Sequence, residues 1–252
     1  MTDLKGKVAL VTGSARGIGK AIAERFGALG ASVVVNYATS EGPAQETVAA
    51  ITRSGGIATA VQADVSKVAD IDRLFTATIE RYGRVDIVVA NAGIELVGTP
   101  IAEVSESDFD RLFAVNTKGA FFTLKQAARH IADNGRVIYV GSSSTAFPLP
   151  GLPGYALYSG SKMAPKFFVE VLAKELGPRG ITVNSILPTV TVGAGLSTDA
   201  VRPKASEFIR TFNPMQRPGT LGDVADAAEY FAGDLSAFVS GQHLLISGGG
   251  PA

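Results

Sequence analysis

Apolar residues along this 252-residue chain fall into two alternating patterns. Short runs rich in β-branched residues, the first spanning Val8, Leu10 and Val11, predict strands buried on both faces. Between them apolar positions recur every three or four residues, as at Ile18, Ile22, Phe26 and Leu29, which predicts helices with one buried face. Further strands are predicted at Ala31–Asn36, Ile57–Val61, Val85–Ala90, Arg136–Val140, Gly180–Pro188 and Gly241–Gly249. Helical stretches are predicted at Glu41–Arg53, at Lys67–Tyr82, over most of Ser105–Asp133 and at Met163–Leu176. Strands alternating with helices imply right-handed crossovers and an α/β fold: a doubly wound, Rossmann-like parallel sheet of about seven strands, helices on both faces. The length suits one domain over residues 1–252.

In such sheets ligands sit beyond the carboxyl ends of the strands, so the residues there carry the chemistry. After the first strand come Thr12 and glycines at Gly13, Gly17 and Gly19, with Arg16 and Ile18 between them. Strand, glycine loop and helix start aim backbone N–H groups and a positive helix end at a phosphate. The spacing Gly-x-x-x-Gly-x-Gly is neither the common dinucleotide fingerprint nor a Walker A loop, and a ligand-free turn is the alternative. After the second strand stand Asn36, Tyr37, Ala38, Thr39 and Ser40, none of them the carboxylate that would hold an NAD ribose. Arg16 could bring a guanidinium suited to a 2′-phosphate to this region, so NADP(H) is expected rather than NAD. Otherwise Arg16 is a solvated loop charge and Asn36 ends a strand. Asp64 and Val65 follow the third strand, where an adenine amino group could be bound or the next segment capped. Asn91, Ala92 and Gly93 follow the fourth, small enough for a cofactor to lie against backbone, although alone this is an ordinary turn.

Asn116 stands among apolar neighbours, three residues before Gly119. A buried Asn demands partners, so it is a structural lock or part of a site. The fifth strand runs into Ser142, Ser143, Ser144 and Thr145, and FPLPGLPG (Phe147–Gly154) then forbids regular structure. Tyr158 and Lys162 follow at helical i, i+4 spacing. A phenol is a poor acid–base at neutral pH unless a nearby cation favours phenolate, which gives that pair a chemical reading.

Composition excludes much else. Twenty-three basic residues cancel 23 acidic ones without charge blocks, which argues against nucleic acid or an acidic membrane. No cysteine is present, so disulfides, thiolate chemistry and zinc–thiolate sites are excluded. His130 and His243 lack metal-ligand spacing, no metal is expected, and both read as structural or exposed. No apolar run would span a bilayer, and the first strand begins too early to leave room for a signal peptide, so a soluble cytoplasmic protein is expected.

TGSARGIG, the N-A-G turn, Asn116-x-x-Gly119, the strand-five serines and YSGSK together resemble the short-chain dehydrogenase/reductase family, in family order over nearly the whole chain. The resemblance implies hydride transfer between a nicotinamide and a carbonyl or alcohol carbon, as in an NADP(H)-dependent carbonyl reductase. By the same resemblance Tyr158 exchanges the proton and a serine binds the substrate oxygen. Lys162 holds the nicotinamide ribose and lowers the Tyr158 pKa, Asn116 keeps a relay water, and Pro188 borders the cofactor. Aligning the strand end selects Ser143, whereas counting back from Tyr158 favours Ser144 or Thr145. The resemblance also implies a substrate loop around residues 189–218, with a short helical pattern at Lys204–Phe212, and a homo-oligomer, most plainly a tetramer. Three features depart from the family: Thr189 follows Pro188, Ser247 precedes Gly248-Gly249, and the serine-to-tyrosine interval is long. The rivals are a non-catalytic nucleotide-binding regulator on the same fold, an NAD-dependent sugar or steroid dehydrogenase, and a serine hydrolase, which lacks Gly-x-Ser-x-Gly.

Overall fold

The computed structural model describes residues 2–146, 153–195 and 213–250. Seven strands, β1 (Val8–Val11), β2 (Ser32–Tyr37), β3 (Ile57–Gln62), β4 (Ile87–Ala90), β5 (Arg136–Val140), β6 (Thr182–Pro188) and β7 (His243–Ile246), form one sheet. All pairs are parallel and the order is β3-β2-β1-β4-β5-β6-β7. The chain therefore reverses its direction of travel between β1 and β4, the place where a doubly wound sheet opens a crevice.

Alternation along the strands separates two cores. Val11, Val33, Val35 and Val89 face one side and pack with Ile22, Phe26 and Phe231. These last belong to α1 (Gly17–Ala28) and the final described helix, α7 (Leu221–Ala232), which share that side with α2 (Glu41–Arg53). Leu10, Val34, Val88 and Val137 face the other side, against Leu74, Leu124 and Val169. These come from α3 (Val68–Tyr82), α5 (Ala120–His130) and α6 (Ala156–Leu176). With both faces covered, the strands have no polar alternation to show, which is why their sequences read as plain apolar runs.

The stretch expected to be mostly helical, Ser105–Asp133, is not one regular helix. It divides into α4 (Glu106–Phe113), a π-helical turn at Ala114–Gly119, and α5. A π turn widens the backbone ring and re-aims its side chains, a device common at functional sites. Gly119 lets this turn approach the segment after β3, since a Cβ there would lie 2.8 Å from the Val65 carbonyl oxygen. The helical pattern expected from Met163 begins earlier, at Ala156, so Tyr158 and Lys162 both lie on the first turns of α6. The Lys204–Phe212 pattern and most of the Phe147–Gly154 loop lie outside the described residues. The base of the longer insertion is pinned by a parallel bridge between Thr191 and Gly219. Among the described residues no helix is long and apolar enough to cross a membrane.

Candidate active site

A cavity of about 850 Å³ opens along the carboxyl ends of the strands, from the β1–α1 loop to the segment after β6. At one end α1 begins at Gly17 with no acidic residue in its first turn and no side-chain cap from Arg16. Its first N–H groups are thus available to an anion. Gly13 has φ +63° and a Cβ on it would stand 2.8 Å from Ala92 Cα. Thr12 fixes the spacing of the two loops: its hydroxyl oxygen accepts from the Asn91 and Ala92 N–H groups, both at 3.0 Å. Asn91 donates back to the Thr12 and Gly13 carbonyls at 2.9 and 3.1 Å.

Asn36 lies beside this loop, but its side chain is spent inside the protein. Its Oδ1 accepts from Gly13 N–H at 3.0 Å, and its Nδ2 donates to the Ala63 carbonyl at 3.0 Å and the Val61 carbonyl at 3.3 Å. The residue is buried and ties the ends of β1, β2 and β3 together. Asn36 nevertheless lines the cavity. Arg16, Tyr37 and Ser40 line the cavity beyond it, and Arg16 is exposed. Asp64 lines it with Val65, and its Oδ1 accepts the Ser66 N–H at 3.0 Å in a turn rather than capping α3.

The middle of the cavity joins the π turn to α6. Pro165 sits inside α6 and cannot donate to the Ser161 carbonyl. The Thr117 hydroxyl satisfies that carbonyl instead, at 2.9 Å. Asn116 donates to Ser161 Oγ at 3.0 Å, and Ser161 Oγ donates to the Tyr158 carbonyl at 2.7 Å. The same Asn116 clamps Ile94 on both polar groups, accepting its N–H at 2.8 Å and donating to its carbonyl at 2.9 Å. Asn116 joins the loop after β4 to the helix that carries Tyr158 and Lys162, with both amide hydrogens donated and one lone pair of its Oδ1 occupied. Thr117, Ser161 and Pro165 carried no signal in the sequence, because their partnership exists only across elements.

Lys162 is buried, with Nζ 3.1 Å from the Val140 carbonyl oxygen that accepts its proton and 5.6 Å from the Tyr139 ring centroid. Burial pushes its ammonium down to about 8, against the opposing pull of Glu95. Gly93 makes room for it, since a Cβ there would lie 2.9 Å from Nζ.

Ser142 is the serine that acts on the Tyr158 phenol, drawing its pKa down. The reason is local. Ser142 keeps an extended backbone at the end of the strand, and the chain then turns into a 3₁₀ turn, Ser143–Thr145. Ser144 N–H and Oγ–H both donate to Ser142 Oγ, at 3.2 and 3.0 Å. With two donors on its oxygen, Ser142 has its own proton left to direct toward Tyr158. Ser143 lines the cavity at the start of the turn. Strand alternation does not extend past Ser142, so it does not discriminate between Ser143 and Ser144.

Burial pushes the Tyr158 phenol above its ordinary value, the Glu95 charge adds to this, and the Ser142 hydrogen bond works against it. Lys162 does not offset this, and its ammonium is turned to the Val140 carbonyl. Pro188 ends β6 at the cavity wall, and Glu95 lines it without having been anticipated.

A second polar string lies elsewhere. Ser185 Oγ and His243 Nδ1 are 2.5 Å apart, and His243 Nε2 is 2.9 Å from Glu170 Oε1. Ser185 has 0% of its surface exposed, so it cannot meet a substrate as a hydrolase nucleophile must. The string packs β7 against β6 and α6.

A seven-stranded parallel sheet with a glycine loop at its switch point, and a tyrosine, lysine and serine gathered at the strand ends, defines a Rossmann-like single-domain protein of the dehydrogenase type. The chain belongs to the short-chain dehydrogenase/reductase family, and is an oxidoreductase by that membership. The family model described as enoyl-(acyl carrier protein) reductase matches residues 13–250. A hydroxynaphthalene reductase-like protein, Arp2 of Metarhizium brunneum, is 40% identical over 263 residues, covering 98% of this chain and 96% of the relative. A dehydrogenase/reductase of Sinorhizobium meliloti superposes with a TM-score of 0.93 at 39% identity, covering 99% of this chain and 97% of that one. A short-chain dehydrogenase of Burkholderia cenocepacia, solved in complex with NADP, gives 0.91 at 36% identity, covering 98% of each chain.

Proposed function

We propose that this protein is an NADPH-dependent reductase that converts a ketone to a secondary alcohol. The observation that carries the reading is the convergence of Ser142, Tyr158 and Lys162 on one cavity whose other end is a glycine-cradled, uncapped helix start. The cradle fits a dinucleotide, because Gly13, Gly17 and Gly19 line it without side chains beside the uncapped start of α1. Gly13, Gly17, Ile18 and Gly19 would hold the pyrophosphate, and Asp64 and Val65 the adenine. Ala92, Gly93, Lys162 and Pro188 would hold the nicotinamide half. When bound, NADPH supplies the hydride. Tyr158 gives its proton to the substrate oxygen, Ser142 donates a hydrogen bond to that oxygen, and Lys162 binds ribose hydroxyls with the protons Val140 does not use. Asn116 holds the framework rigid. NADPH oxidation assayed against aromatic, alicyclic and β-keto ester carbonyls tests the reading; no turnover across the panel returns the case to a non-catalytic binder.

The NADP preference is supported by Arg16 and by the β2–α2 turn, whose cavity-lining residues Tyr37, Ala38, Thr39 and Ser40 carry no carboxylate to repel a 2′-phosphate. The NADP bound to the Burkholderia relative points the same way. NADPH is expected to exceed NADH by at least about tenfold in kcat/KM, about 1.4 kcal/mol. Arg16→Ala should erase most of that ratio by raising the KM for NADPH, and an unchanged ratio refutes the role.

A homotetramer is also proposed. Met163, Phe167 and Val171 form an exposed apolar stripe at i, i+4, i+8 on α6, beside exposed Phe121 of α5. Sedimentation at micromolar concentration should give four chain masses, and Phe167→Asp should yield a smaller species. A monomeric wild type refutes it.

A further inference from the structure

Pro165 lies inside α6, four residues after Ser161 and three after Lys162. A proline there withholds the N–H that the Ser161 carbonyl would accept, and its ring crowds that carbonyl, which loosens the turn carrying Lys162. The turn is held from outside the helix instead. The Thr117 hydroxyl donates to the Ser161 carbonyl at 2.9 Å, and the Tyr139 hydroxyl of β5 donates to the Lys162 carbonyl at 3.4 Å. Ser161 has 0% of its surface exposed, so its carbonyl depends on a donor within the protein. Thr52, Thr76, Thr78 and Thr123 each turn the hydroxyl back onto the carbonyl four residues earlier in their own helix. Thr117 belongs to the π turn, which re-aims its side chains, and its hydroxyl reaches a partner 44 residues along the chain. The neighbouring Asn116 holds the N–H and carbonyl of Ile94, in the loop after β4 that lines the cavity. The π turn therefore grips two walls at once: the loop where the nicotinamide half would lie, and the helix that offers Tyr158 and Lys162.

Ketone reduction brings a hydride to the carbonyl carbon and a proton to its oxygen, so the rate depends on how the two donors are placed relative to each other. Resting on the reductase reading above, we propose that Thr117 is a positioning residue of the reaction: by holding the carbonyl that Pro165 leaves open, it sets the turn of α6 bearing Tyr158 and Lys162 against the loop after β4. Thr117 is outside the described cavity wall and acts through Ser161. A misplacement of about 1 Å costs on the order of 10² in rate, so a contact of this kind shows in the chemical step. A mere cap on an orphan carbonyl contributes stability alone.

The experiment is a double-mutant cycle at Thr117 and Pro165, read by melting temperature and by steady-state reduction with NADPH. The substrate is whichever ketone of the panel above the wild type reduces fastest. Thr117→Val keeps the shape and removes the donor; kcat should fall by about tenfold or more, while the Kd for NADPH, followed by fluorescence, changes by less than about threefold. The kinetic isotope effect with NADPH deuterated at C4 should rise, because hydride transfer becomes the slower step. Thr117→Ser, which keeps the hydroxyl, should bring kcat back to within about threefold of wild type. Pro165→Ala returns an N–H to the Ser161 carbonyl. In that background Thr117→Val should no longer lower the melting temperature, yet its loss in kcat should persist. The carbonyl is then satisfied within the helix but is not tied to the π turn. If Thr117→Val alone does not fold, Pro165→Ala with and without it carries the comparison. Recovery of kcat together with the melting temperature overturns the assignment and leaves Thr117 a structural cap. A Thr117→Val enzyme with wild-type kcat overturns it too, and both results leave the reductase reading intact. A wild type that reduces none of the panel overturns both readings.

Discussion

Tyr158→Phe is expected to lower kcat/KM for ketone reduction by about 10³-fold or more, within the range a positioned general acid contributes, while NADPH affinity stays unchanged. The substitution removes one oxygen from a helix turn that Ser161, Thr117 and Asn116 hold independently of it. Fold and cofactor cradle should therefore survive, and the loss should fall on the chemical step. The pH dependence follows from the direction of the shift. A phenol raised above its ordinary value keeps its proton through the neutral range and beyond, so the proton donor needed for reduction is present there. Oxidation of the alcohol needs phenolate, and its rate should climb with pH over the same interval. Lys162, pushed down to about 8, loses its charge as pH rises through that value. Reduction should accordingly be level below about 8 and decline above it. Steady-state pH profiles in both directions check this. A Tyr158→Phe enzyme within tenfold of wild type would show that the proton comes from elsewhere.

Ser142→Ala should cost about 10²–10³ in kcat/KM, the usual loss for one donor to a developing oxyanion. The hydroxyl draws down the Tyr158 pKa and is oriented by Ser144, whose N–H and Oγ–H occupy its lone pairs. Ser144→Ala should cost less, because the backbone N–H still donates. Ser143→Ala, at the start of the 3₁₀ turn, should leave the enzyme near wild type. Removing Ser142 should also raise the Tyr158 pKa further, since the hydrogen bond works against its elevation. The alkaline rise in alcohol oxidation should therefore shift to higher pH. A dead Ser143→Ala beside an active Ser142→Ala would reverse the assignment.

Sequence alone determined the parallel sheet and the position of its ligand cleft. Apolar runs buried on both faces, separated by amphipathic helices, admit few other arrangements, and the Val8–Gly19 loop marks the crevice through local backbone geometry. Tyr158 and Lys162 were legible for the same reason: helical spacing alone puts them on one face. Which serine serves Tyr158 is not legible in the sequence, because strand alternation stops where the 3₁₀ turn begins. Asn36 and Asn116 stand out in the sequence as site residues, and only the fold reveals that their amides also join strand ends and helices. Glu95 carried no sequence pattern, since a lone carboxylate after a turn is ordinarily a solvated charge. Its position within the cavity depends on β4 and the π turn at Ala114–Gly119 meeting from distant parts of the chain. Periodicity fixes elements through neighbours a few residues apart, but hydrogen-bond partners tens of residues away are set by packing.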